Sequence, residues 1–128
     1  DATPIATSSR VGGNIQSQNH REVRVGRNTS ISVHSTVGGS IQLKQGGFVS
    51  VNDTAVTGDI QYESNSGASL AANRNRVNGN IQIVGNRGNN VVRWNTVGGN
   101  LQCKENAPAP TGHSNVVHGD KEDQCRTL

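Results

Sequence analysis

The stretch that decides the fold is Val77-Asn-Gly-Asn-Ile-Gln-Ile-Val84. Its first six residues recur along almost the whole chain, as Val11-Gly-Gly-Asn-Ile-Gln16, Val37-Gly-Gly-Ser-Ile-Gln42, Val56-Thr-Gly-Asp-Ile-Gln61 and Val97-Gly-Gly-Asn-Leu-Gln102. A decayed copy stands at Val117-His-Gly-Asp-Lys-Glu122. The intervals from Val to Val are 26, 19, 21, 20 and 20 residues, and a period of this size marks a stacked repeat architecture. Gly, Asn and β-branched residues are poor helix formers, so the unit reads as strand. Alternation then predicts Val37, Gly39, Ile41 and Leu43 inward in one coil, and Val77, Gly79, Ile81 and Ile83 in another, with Asn and Gln outward.

A second β-like run follows in most coils: Ile31-Ser-Val33, Val49-Ser-Val51, Leu70-Ala-Ala72 and Val91-Val92. One coil cannot bury its apolar side chains alone, but stacking coils about 4.8 Å apart makes a continuous Val/Ile interior and pairs the backbone between rungs. The fold class predicted is all-β: a parallel β-helix, or β-solenoid, of five to six coils of about 20 residues. Parallel crossovers set its hand as right-handed. Ser9, Ser35, Thr54, Asn75, Asn95 and Asn115, each two residues before the repeat's Val, form a column suited to a structural hydrogen-bond ladder at a corner.

The whole chain reads as one domain: an N-terminal extension over 1–8, repeat coils over 9–102 and a C-terminal cap over 103–128. The long first interval predicts a bulge at Asn19-His20-Arg21-Glu22. The run Ala107-Pro-Ala-Pro-Thr-Gly112 interrupts the ladder, since Pro lacks the donor. Cys103 follows its coil's Val by six residues and Cys125 by eight, so stacking brings them together and predicts a disulfide that fastens the last rung.

Composition narrows the function classes. Among 128 residues Gly and Asn each occur 16 times, Phe, Tyr and Trp once each and Met not at all, so a core built on aromatics is excluded. The formal charge of +3 comes from 12 basic and 9 acidic residues, thinly spread, which is too little self-repulsion for a typical disordered chain. No apolar run has the length of a membrane span, so membrane insertion is not expected. Nucleic acid is not an expected partner, because the basic residues are not interleaved with stacking aromatics. The missing Met and the start Asp1-Ala-Thr-Pro4 read as a mature chain after signal-peptide cleavage, and the two cysteines fit an oxidising compartment. The expectation is a secreted, extracellular protein.

The repeated V-x-G-N-[IL]-Q unit, with the ending from Val97 to Asn106 through Pro108-Ala-Pro-Thr-Gly112 to Lys121-Glu-Asp-Gln-Cys125, resembles repeat proteins secreted by Gram-positive soil bacteria. The resemblance covers residues 11 to 125. It implies secretion and a solenoid, and brings no catalytic residues with it.

Candidate chemistry lies in the outward columns. Gln42, Gln61, Gln82 and Gln102, with Asn80 and Asn100, form a polar, amide-lined sheet face. It reads as a solvated face with side-chain ladders, or as a regular array of donors and acceptors for a polysaccharide. Ice ranks low as a ligand because Thr is scattered. The column three residues before each Val holds His34, Asp53, Arg74, Trp94 and Ser114, with Arg93 adjacent. An outward indole beside Arg is a platform for the apolar face of a sugar ring, so His34, Asp53, Arg74, Arg93 and Trp94 are the ligand-binding candidates. The last rung, with His118, Asp120, Glu122 and Asp123, reads as a polar cap rather than a metal site, and no cofactor is expected. The function predicted is a secreted, non-catalytic binding or surface module that recognises a polysaccharide or cell-surface glycan. The alternatives are a small polysaccharide-active lyase or hydrolase, with His34, Asp53 and Arg74 nearest to a site, and a purely structural surface protein.

Overall fold

The computed structural model describes the backbone of residues 2–5 and the whole of residues 10–26 and 35–128. All regular structure among them is strand. Three six-stranded parallel sheets enclose one interior, each strand pairing with its equivalent in the neighbouring coil. A valine sheet stacks Arg10–Val11, Ser35–Val37, Thr54–Val56, Arg76–Val77, Thr96–Val97 and Val116–Val117. A glutamine sheet stacks Ile15–Gln18, Ile41–Lys44, Ile60–Glu63, Ile81–Val84, Leu101–Lys104 and Lys121–Asp123. The third stacks Ala2–Ile5, Glu22–Val25, Phe48–Asn52, Ser69–Asn73, Asn89–Arg93 and Thr111–His113. The protein is a β-solenoid.

The repeat sets the register. Val37 pairs with Val56, and Ile60 with both Ile41 and Ile81, so like residues pile on like. Ile41, Ile60, Ile81 and Leu101 are fully buried, each worth about 1.5–3 kcal/mol against exposure. Tyr62 takes the inward place of Leu43 and Ile83 and donates its hydroxyl to the Ala71 carbonyl across the interior, at 2.6 Å.

Three expectations need correction. The hexapeptide is not one strand: its Val ends a strand of the valine sheet and its Ile begins one of the glutamine sheet, so Gly-Gly-Asn turns a corner. Gly39 and Gly79 are half-exposed there instead of facing the core. The surplus of the first coil does not bulge at Asn19–Glu22, where Asn19, His20 and Arg21 hydrogen-bond in register with Lys44, Gly47 and Phe48. Val25 pairs with Val51 and Ser35 with Thr54, so the extra length of this coil falls between Val25 and Ser35. The expected run Ile31–Val33 and column member Ser9 lie outside the described residues. Ala2–Ile5 is a strand beside Glu22–Val25, and the ladder continues through Lys121–Asp123.

Cys103 and Cys125 are buried and bridged, with Cα atoms 5.2 Å apart. Beyond the bridge Leu128 folds over the interior, and Asn115 Nδ2 and Lys121 Nζ both donate to its main-chain oxygen at 3.2 Å.

Candidate functional site

The site is built on a corner between the third sheet and the valine sheet. Asp53, Arg74, Trp94 and Ser114 all adopt left-handed φ there, between 51° and 60°. Each is followed by a buried polar residue: Thr54, Asn75, Asn95 and Asn115. Asn95 Oδ1 accepts from Asn75 N at 3.0 Å while its Nδ2 donates to Ala72 O at 2.8 Å, and Asn115 serves Asn95 in the same way. The inward Asn satisfies main-chain groups that the sharp turn would otherwise orphan. The left-handed residue before it turns its own side chain outward, so the fold asks nothing of its chemistry.

At this corner Arg74 grips Asp53 in a fork, Nε to Oδ1 at 2.8 Å and Nη2 to Oδ2 at 3.3 Å. The Arg74 guanidinium lies 5.9 Å from the centre of the Trp94 ring, and that of Arg93 5.6 Å. His113 meets the indole edge-on at 5.0 Å, and its Nδ1 is 2.9 Å from Ser114 Oγ. Trp94 is nevertheless 47 % exposed. The result is an indole clasped by two cations and an imidazole, with much of its surface open.

Of the predicted ligand-binding residues, Arg74, Arg93 and Trp94 meet here, and His34 lies outside the described residues. Asp53 belongs to the cluster but is buried beneath Arg74, its side chain 1 % exposed. It therefore positions the guanidinium and offers nothing to a ligand. His113 was not anticipated. The signal was available, since it sits one coil after Arg93 in the same column, but only the register makes that visible.

The amide face spends much of its capacity on itself. Gln42 donates to Gln61 and Gln61 to Gln82, both at 2.8 Å, and Gln102 donates to Glu122. Asn80 and Asn100 lie at the Gly-Gly-Asn corner, where each Oδ1 accepts from the main-chain N of the next rung, Asn100 and Asp120 respectively, at 2.8 and 2.9 Å. Glu122 also accepts from Asn100 Nδ2, so it terminates two ladders. Among the described residues no three His, Cys, Asp or Glu side chains group as metal ligands. A second inward column, Asn65, Asn86 and Asn106 ending on Gln124, went unread. Its three asparagines each follow their coil's Val by nine residues, but His20 and Gly46 hold the same place in the first two coils, and that breaks the pattern in the sequence.

No protein-family model matches the chain, and comparison with curated proteins and with solved structures finds no significant match.

Proposed function

We propose that this chain is a secreted, non-catalytic module that binds a polysaccharide or cell-surface glycan through the Trp94 corner. The observation that carries the reading is the indole itself. A left-handed backbone costs a non-glycine residue roughly 1–2 kcal/mol, and Asn or Asp bears it best. Here a bulky aromatic takes the position, exposes apolar surface and adds nothing to the Val/Ile interior. Strain and exposure at one residue are accounted for when a ligand stacks on it. The flat face of a sugar ring fits an indole, and the flanking guanidiniums donate to its hydroxyls. The buried disulfide is in keeping with an oxidising, extracellular setting.

Binding on a glycan array, followed by calorimetry and reducing-end assays on each hit, tests the reading. Trp94→Ala should weaken binding about tenfold, the size of a lost stacking contact of about 1.4 kcal/mol. The thermal midpoint should fall by only a few degrees, because the ring adds nothing to the interior and its two exposed cation–π contacts are worth about 0.5–1 kcal/mol each. Unchanged affinity in a folded Trp94→Ala protein removes this corner from the site, and release of reducing ends would make the protein an enzyme.

A further inference from the structure

We propose, building on the glycan-binding reading, that the outer face of the valine sheet binds an acidic polysaccharide lying as an extended chain. This face carries a shallow groove of about 510 Å³ that runs between Arg10 and Arg76, with Thr36 and Thr57 on its walls. It exists because the outward positions between the two arginines are small, Ala55 above all, and because Gly12 and Gly38 keep the corner low. Beyond Arg76 it continues past Thr96 to His118.

The charge of the groove is one-sided. Among the described residues no Asp or Glu lines either stretch. Arg10 and Arg76 are exposed and make no ion pair with a described residue, whereas Arg24, Lys44 and Arg74 each hold a carboxylate. Asp59, on the adjoining corner, does not line the groove and accepts from Asn80 N at 2.7 Å. A guanidinium has donors only and pairs best with a bidentate anion, such as carboxylate, sulfate or phosphate.

Spacing selects a polymer over a small anion. Arg10 aligns with Thr36, Thr36 with Ala55 and Ala55 with Arg76, so the two cations stand three rungs apart, about 14 Å at sheet spacing. No single sugar ring reaches both. A chain with a charge on successive residues does, with the threonine hydroxyls bonding between them. Trp94 shares a coil with Thr96, separated only by the inward Asn95, so the indole borders the same face. The stacking corner and the basic groove then serve one ligand.

Calorimetry on the full chain with polygalacturonate, dextran sulfate, neutral dextran and single-stranded DNA tests this. Polygalacturonate or dextran sulfate should bind at least tenfold more tightly than dextran, and the margin should shrink with added salt. Whichever is tighter identifies the anionic group. The double variant R10Q/R76Q should lose the margin and keep its thermal midpoint, while K104Q, which removes an exposed lysine of the glutamine sheet, should keep the margin. Equal binding of acidic and neutral glycans overturns the proposal and leaves the Trp94 reading standing. So does a margin that survives R10Q/R76Q, or one that K104Q lowers equally. DNA bound as tightly as the acidic glycans also overturns it, because the groove would then read charge alone. If no glycan binds, both readings fall.

Discussion

His20 shows how the repeat treats a residue that breaks its pattern. It stands one place after the left-handed Asn19, the inward position that Asn65, Asn86 and Asn106 fill in later coils. Its imidazole is larger than a carboxamide, and Gly46 above it supplies the room: a Cβ there would come within 2.2 Å of the ring. Both ring nitrogens are buried without a partner among the described residues, and burial holds the His20 pKa below its usual value. The unfolded chain therefore takes up a proton near pH 6.5 that the folded chain refuses. This contribution to stability is full above that pH and falls away as pH drops through it. The denaturation midpoint should be higher at pH 8 than at pH 5, and His20→Asn should narrow the difference. An equal loss in the variant would show that His20 does not carry it.

The Gly-Gly-Asn corner illustrates the element scale, because the demand for its second glycine comes from the rung below. At Gly79 a Cβ would sit 2.2 Å from Asp59 Oδ1 and 2.8 Å from the Gly58 carbonyl. That oxygen of Asp59 is the acceptor for Asn80 N, so an alanine displaces a corner hydrogen bond as well as a side chain. At the matching Gly13, in the first coil, no atom of the described residues lies within 4 Å. Gly79→Ala should lower stability by about 1–3 kcal/mol, the size of overpacking with an orphaned donor. Gly13→Ala should be neutral or gain up to about 1 kcal/mol from the unfolded chain. Thermal melts of the two variants decide it, and equal losses would mean that the glycine serves local backbone geometry, not stacking.

Across the whole molecule each coil touches only its neighbours, so stability is close to a sum of rung-to-rung terms and the ends are the weak points. The C-terminal end is held by the Cys103–Cys125 bridge, whose cysteines are 22 residues apart, and by Leu128 over the interior. Closing a loop of that length stabilises by about 3 kcal/mol. Replacing both cysteines with alanine should raise amide exchange chiefly over residues 104–128 and leave the strands from Phe48 to Arg93 protected. A uniform rise along the chain would instead show that the solenoid opens as one cooperative unit.

The sequence by itself determined the architecture, because the Val and Ile positions recur at a nearly constant interval and only stacked strands let all of them be buried together. It also carried the inward Asn75, Asn95 and Asn115, which stand two residues before each Val, and the cysteine pairing, because Cys103 and Cys125 fall six and eight residues after the Val of neighbouring coils. Only the tertiary structure decided where the corners fall: a Val-to-Ile run reads as one alternating strand until the rung below shows that Gly-Gly-Asn must turn. It also decided which polar residues remain available. Asp53 and Trp94 occupy equivalent positions in the repeat, yet one is buried under Arg74 and the other stands open. That difference comes from side chains in neighbouring coils, about 20 residues away along the chain and one rung away in space.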